Sequence, residues 1–211
     1  MAKWETWELA SHVLEYEDET HTYICDGIVI PSVTQLIERR FGDKYSRVPR
    51  RILEEAARKG TLLHKAIENA EKSGFADAYE LSPEEWEIAA EFGSYLFLKQ
   101  ENSLTVEGSE LPLLIPYKEK IIAAGRMDIL AVNGDGDHGV VDVKRTSKLD
   151  DDYLSYQLEL YNRGLLYTYD IKANFHGCLW LRNKAREYRL IEPCETLVDE
   201  LLEEYINEIR C

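Results

Sequence analysis

Residues 21–30 (His-Thr-Tyr-Ile-Cys-Asp-Gly-Ile-Val-Ile) alternate well enough to form two short strands around Asp26-Gly27, a dipeptide suited to a two-residue turn. The pattern predicts a β-hairpin that opens the fold. Ser32 can then cap a helix, with Gln35 three positions on as a capping box requires, and that helix is expected to run to about Arg40. Between Arg50 and Ser73, Ile52, Leu53, Ala56 and Ala57, then Leu62, Leu63, Ala66, Ile67 and Ala70, recur at helical spacing on either side of Gly60. Two helices, or one with a kink, fit this stretch. Ser82-Pro83-Glu84-Glu85 places Ser at a cap and Pro at the first helical position, starting a helix that reaches about Gln100.

The period changes at Leu104. Leu104 to Val106, Leu111 to Ile115, Lys118 to Ala123, Arg126 to Val132 and Gly139 to Val143 read as strands, the last two joined by a loop over Asn133 to Asp137. A helical pattern returns from Asp150 to Tyr169. Phe175 to Leu181 and Glu187 to Ile191 form another hairpin, and Cys194 to Arg210 is an amphipathic helix. The order predicts one α/β (α+β) domain over 1–211, without repeats or linkers. Its expected parts are a helical N-terminal half with an opening hairpin (1–103), a sheet region (104–192) and an acidic C-terminal helix (193–211).

Length supports that organisation, since 211 residues at ~150 per domain leave room for one core. A hydrophobic fraction of 45% and a charged fraction of 31% exclude a disordered or collagenous chain. No apolar run approaches the ~20 residues of a membrane span, so no membrane partner is expected. The first nineteen residues are acidic where a targeting peptide is basic, so a cytoplasmic protein of a bacterium or a phage-infected host is expected. Four cysteines without a CxxC pair read as reduced thiols.

Net charge is −15, which ordinarily argues against nucleic acid as a partner. Its distribution changes that inference. Arg39 to Gly60 carries eight basic residues against three acidic ones, whereas Glu195 to Cys211 has six carboxylates against one arginine. A basic wall and an acidic helix are therefore both encoded. The acidic helix is expected to pack on the core, docking of a basic partner being the alternative.

The sharpest chemical feature is Gly125-Arg126-Met127-Asp128 followed, after a turn, by Val140-Val141-Asp142-Val143-Lys144-Arg145-Thr146. In a strand, Asp142 and Lys144 project from one face while Val141 and Val143 point into a core. Pairing of the two strands brings Asp128 near Asp142. Two close carboxylates repel and call for a cation, and oxygen ligands suit Mg²⁺ or Mn²⁺. A bare Asp-x-Lys is most often a solvated salt pattern, so further elements matter. His64 and Glu68 share one helix face, as do Gln157 and Tyr161.

Gly60-(x3)-His64-(x3)-Glu68, Gly125-Arg126-x-Asp128, Asp142-x-Lys144-Arg145-Thr146 and Gln157-(x3)-Tyr161, in this order, resemble the PD-(D/E)XK nuclease superfamily. The subgroup most resembled is that of RecB-type exonuclease domains, including phage and mitochondrial genome-maintenance exonucleases. The leading His21-x-Tyr23, Gly27 and Pro31-Ser32-Val33-Thr34 are similar to its N-terminal signature. The resemblance spans roughly residues 21 to 190. It implies a restriction-endonuclease-like core, a central mixed β-sheet flanked by helices, and a divalent-metal-dependent DNA exonuclease acting in recombination, repair or replication.

By similarity, Asp128, Asp142, the Val143 carbonyl and His64 would hold Mg²⁺ or Mn²⁺. Lys144 would activate water or stabilise charge on the phosphate, and Gln157 and Tyr161 would line the cleft. Many members carry a further upstream carboxylate, for which Glu110 is the first candidate and Glu107 the second. A histidine among oxygen ligands shifts preference toward Mn²⁺.

Contacts to DNA are expected from Ser32 and Thr34 at a helix N-terminus, from Arg50 and Arg51 in the basic segment, and from Arg126, Arg145, Thr146 and Lys148 along the track. No base-reading motif is present, so contact would be sequence-independent and salt-sensitive, on single- or double-stranded DNA, with a recombination or annealing protein as a conceivable partner. Some relatives hold an iron–sulfur cluster through three closely spaced downstream cysteines. Here those gaps are 16 and 17 residues, so no cluster is expected. The alternatives are an endonuclease with the same centre and a binding protein that no longer cuts.

Overall fold

The computed structural model describes residues 4–42, 48–73, 86–182 and 185–209. Four strands come first: β1 (Trp4–Leu9), β2 (His12–Glu17), β3 (Thr22–Cys25) and β4 (Ile28–Ile30) form an antiparallel meander in chain order. The hairpin at Asp26-Gly27 is therefore the third of three, and the N-terminal half opens on a sheet. The first hairpin turns at Ala10-Ser11, with φ of 45° and 71°. Both residues take the left-handed conformation of a tight hairpin without the Asn, Asp or Gly that normally signals it.

Ser32 caps α1 (Val33–Phe41) with the full capping box to Gln35. Next, α2 (Arg50–Ser73) is one 24-residue helix. Gly60 does not break it, and a side chain there would meet open space. Only its second half packs, through Leu63, Ala66, Ile67 and Ala70, while Ile52 stays exposed. In α3 (Trp86–Glu101) the predicted Ser82-Pro83 start lies outside the described residues.

Two long strands, β5 (Thr105–Tyr117) and β6 (Lys120–Val132), replace the four short ones expected from Leu104 to Val132. Pro112 and Pro116 are tolerated because β5 is an edge strand, where a missing N–H breaks no ladder. Then follow β7 (His138–Lys144), α4 (Asp151–Tyr169), β8 (Phe175–Arg182), β9 (Ala185–Leu190) and α5 (Glu195–Glu208). The second sheet has the order β5-β6-β7-β8-β9, antiparallel except between β7 and β8, which pair in parallel across the α4 crossover. This is a mixed α/β (α+β) fold with a central mixed sheet flanked by helices.

Both faces of this sheet are covered. Residues of α1, α4 and α5 meet Leu113, Ile115, Met127, Leu130 and Val140 on one face, and residues of α2 and α3 meet Ile129, Ala131, Val141, Val143 and Leu179 on the other. A third cluster, including Leu14, Tyr16, Tyr23 and Cys25, seats the N-terminal sheet on Leu114 and Ala124. Close approach of α4 to the sheet needs Gly125: a Cβ there would lie 2.8 Å from the Tyr161 ring and 3.0 Å from Val33.

The acidic helix α5 packs Val198, Leu201, Leu202, Tyr205 and Ile206 into the main core. Its carboxylates do not wait for an external partner. Glu208 pairs with Arg39, Glu204 with Arg40, and Glu203 with Lys118. The basic and acidic ends of the sequence thus partly neutralise each other.

His176 on β8 is 2% exposed, its Nδ1 has no hydrogen-bond partner among the described residues, and burial pushes its pKa down to about 4. The unfolded chain takes up this proton below about pH 6.5, the folded chain only below about pH 4, so stability falls as the pH drops through that window. The contribution is about 3 kcal/mol. Chemical denaturation between pH 7 and pH 4 should show a smaller loss for His176→Leu than for the wild type, and parallel losses would contradict a buried neutral imidazole.

Candidate active site

The β6–β7 ladder runs from Val132↔His138 to Ile129↔Val141 and ends there. Past that point the Asp128 side chain takes over: its Oδ2 accepts the Val143 N–H at 2.7 Å. Meanwhile β7 continues beside β8 through Asp142↔Cys178, Val143↔Leu179 and Lys144↔Trp180. The sheet therefore splits between β6 and β7, and the candidate residues line the split.

Opposite Asp128, β5 carries Glu110 at φ 53°, a left-handed conformation that interrupts the pairing between Ser109↔Ile129 and Leu111↔Met127. Local irregularity of this kind re-aims a side chain. The Glu110 carboxylate comes to His64 of α2, Oε1 lying 3.3 Å from Nδ1, with Asp128 Oδ1 3.6 Å from the same nitrogen. His64 Nε2–H donates to the Val143 carbonyl at 3.2 Å. Donor atoms of His64, Glu110 and Asp128 all lie within 4.8 Å of one another. His64, Glu68, Ser109, Glu110, Asp128 and Val143 line one small pocket.

Asp142 is 1% exposed; its Oδ1 accepts from Lys144 Nζ at 2.8 Å, and its buried Oδ2 has no hydrogen-bond partner among the described residues. Electrostatics follow from this crowding. Burial opposes the His64 charge, but Asp128 and Glu110 outweigh it and raise the pKa. Burial, with Asp142 and Glu110 adding to it, raises that of Asp128 against the pull of His64. Burial also opposes the Lys144 ammonium, and Asp142 and Asp128 more than restore it, so its pKa is raised. The Glu110 and Asp128 carboxylates, the His64 imidazole and the Val143 carbonyl beside it form a set that fits a divalent cation, and Asp142, with its orphaned Oδ2, is not among the three residues whose donor atoms converge.

On α4, Gln157 Nε2 donates to the Tyr161 hydroxyl at 3.2 Å and its buried Oε1 has no hydrogen-bond partner among the described residues. Burial, reinforced by Asp128, raises the Tyr161 pKa well above its usual value. Glu107 lies elsewhere, half exposed and 3.0 Å from His138 Nε2. Of the two alternative carboxylates, Glu110 is the one brought to His64.

The expected phosphate contacts divide. Thr34 is exposed and hydrogen-bonds to Tyr153, whose pKa feels both Lys144 and Asp142; Ser32 is engaged as the α1 cap. Arg50 and Arg51 are exposed at the start of α2, Arg50 pairing with Glu54 at 2.7 Å. Thr146 donates its hydroxyl to the Lys148 carbonyl at 3.0 Å. Arg126 and Arg145 are tied up. Arg126 donates to Glu5 at 2.7 Å and lies over the Trp7 and Tyr16 rings, fastening β1 and β2 to β6. Arg145, with its side chain 8% exposed, donates to Glu91 at 2.6 Å and Glu87 at 2.7 Å on α3. In the described structure both guanidinium groups are thus engaged by carboxylates of the chain itself, Arg145 buried and Arg126 a quarter exposed.

Two residues escaped sequence reading. Ser109 has a buried hydroxyl without a partner among the described residues, in the pocket itself, and Tyr153 stands near Lys144. Only proximity to Glu110 in the chain could have drawn attention to Ser109.

No family model matches the chain, and no curated protein matches it. The solved structure of SSO0001 is similar at 16% identity over 82% of each chain, with a TM-score of 0.37, a likeness too low to bear on function.

Arg145→Met should lose about 3 to 5 kcal/mol of folding stability in urea denaturation, because it strips the buried Glu91 of its arginine. A surface DNA contact would instead leave the midpoint unchanged.

Proposed function

We propose that the protein is a divalent-metal-dependent deoxyribonuclease that hydrolyses phosphodiester bonds from DNA ends. The observation that carries this reading is the meeting of His64, Glu110, Asp128 and the Val143 carbonyl beside the Asp142–Lys144 pair, in a split of the sheet. The resemblance to PD-(D/E)XK exonucleases in motif order supports the same conclusion. His64, Glu110, Asp128, Asp142 and the Val143 carbonyl would hold Mg²⁺ or Mn²⁺. Such an ion supplies a water of lowered pKa and neutralises charge building on the phosphoryl oxygens.

The chain's own groups do the rest. Lys144, kept as an ammonium by Asp142 and Asp128, donates to a phosphoryl oxygen as negative charge accumulates there. Gln157, hydrogen-bonded to Tyr161, would line the cleft with it and orient the phosphate. Arg50, Arg51 and the α1 end at Ser32 and Thr34 hold the backbone without reading bases. The acidic remainder of the surface repels DNA from other faces. A role in recombination, repair or replication, with a recombination or annealing protein as a partner, would accord with the same resemblance. No described helix is long and apolar enough to cross a membrane.

The test is a time course on end-labelled linear single- and double-stranded DNA beside closed circles, in EDTA, Mg²⁺ or Mn²⁺, for wild type and Lys144→Ala. Metal-dependent loss of linear DNA with circles intact, reduced about 10²- to 10³-fold in Lys144→Ala, is expected. Cleaved circles would replace the exonuclease reading with an endonuclease, and absence of Lys144-dependent cleavage would leave a binding module.

The imidazole in the ligand set predicts a second outcome. Mn²⁺ should support cleavage at least as well as Mg²⁺, and failure of Mn²⁺ where Mg²⁺ works would remove His64 from the ligands.

A further inference from the structure

At the turn edge of the N-terminal sheet, two tight hairpins lie side by side. Ala10-Ser11 (φ 45° and 71°) delivers His12 at the start of β2, and Asp26-Gly27 (φ 49° and 80°) delivers Cys25 and Asp26 at the end of β3. The strands are in register through Leu14↔Cys25, and the Asp26 N–H donates to the Val13 carbonyl at 3.0 Å, so backbone pairing fixes the positions. His12 Nδ1 lies 2.6 Å from Asp26 Oδ2, and Asp26 Oδ1 accepts the Val13 N–H at 2.9 Å. Donor atoms of His12, Cys25 and Asp26 all lie within 4.8 Å of one another.

We propose that His12, Cys25 and Asp26 form a second metal site, for a borderline-soft ion of the zinc type. None of these residues belongs to the catalytic cluster. The donor chemistry selects the ion: one sulfur, one imidazole nitrogen and one carboxylate oxygen suit Zn²⁺ and are a poor set for Mg²⁺. Three protein ligands leave a fourth position of the tetrahedron to water. His12 Nε2 lies 3.1 Å from the Tyr167 hydroxyl of α4, an outer partner of the kind that orients a ligating imidazole and leaves Nδ1 for the metal. The Cys25 thiol is buried, and metal binding exchanges its proton for the ion, with the proton released to solvent. Occupancy would lock the N-terminal sheet to α4 through Tyr167.

The experiment titrates Co²⁺ into the full chain and reads the thiolate-to-metal charge-transfer absorption, a signal independent of DNA cleavage. One equivalent giving this band, displaced by Zn²⁺ and not by excess Mg²⁺, is expected. Cys25→Ser should abolish it. Asp26→Asn, which keeps the turn because Asn also tolerates the left-handed conformation, should weaken Zn²⁺ binding at least tenfold. Saturating Zn²⁺ should raise Tm by about 5 °C or more in the wild type, and not in Cys25→Ser. Absence of the band in the wild type, or a band unchanged in Cys25→Ser and Asp26→Asn, would overturn the site. Because the assay reads sulfur ligation alone, its failure leaves the nuclease reading untouched, and failure of the nuclease assay leaves this site untouched.

Discussion

The Asp128 carboxylate occupies the point where two strands of a sheet stop pairing, and much of the site depends on that substitution. A strand that leaves its neighbour exposes backbone N–H groups whose burial is costly unless they are satisfied. Asp128 satisfies the Val143 N–H and so stabilises the split instead of closing it. The Val143 carbonyl is left facing His64, and Asp142 and Lys144 remain on β7 with β8 as their support. One hydrogen bond thus sets the opening of the cleft, the direction of a carbonyl and the place of a carboxylate.

The cost appears as concentrated charge. The charges of Glu110, Asp128 and Asp142 act on His64 and Lys144, and the raised pKa values of His64, Asp128 and Lys144 express that concentration. Elsewhere the molecule resolves opposite charges internally. Arg145 is spent on Glu87 and Glu91, Arg126 on Glu5, and Arg39 and Arg40 on the acidic face of α5. A positive segment in a sequence is therefore no measure of positive surface. Long-range ion pairs convert a polar charge distribution into fasteners between α1 and α5, α3 and the residue that follows β7, and β1 and β6.

Much of the fold was legible because its signals are local. The capping box at Ser32 and Gln35, the Asp26-Gly27 turn and the change of period at Leu104 all act within a few residues. The first hairpin and the unbroken β5 and β6 were not legible. Ala10-Ser11 and Lys118-Glu119 adopt positive φ without the residues that favour it, so tertiary pairing, not intrinsic preference, holds these turns. Likewise Gly60 looked like an interruption, yet helical hydrogen bonding continues through it at a cost of about 1 kcal/mol.

The sequence by itself determined the types of chemistry: an acid and a lysine on one strand face, a histidine on a helix face, a carboxylate upstream. Period and spacing are enough for that, because side-chain direction along one element follows backbone geometry. Tertiary structure decided which groups meet. It chose Glu110 over Glu107 for His64, through a left-handed residue that no pattern announces. It engaged Arg126 with Glu5 and buried Arg145 against Glu91, and it joined His12 to Cys25 and Asp26 across neighbouring turns. These outcomes depend on contacts between residues far apart in the chain, whose energies exist only once the sheets and helices have packed.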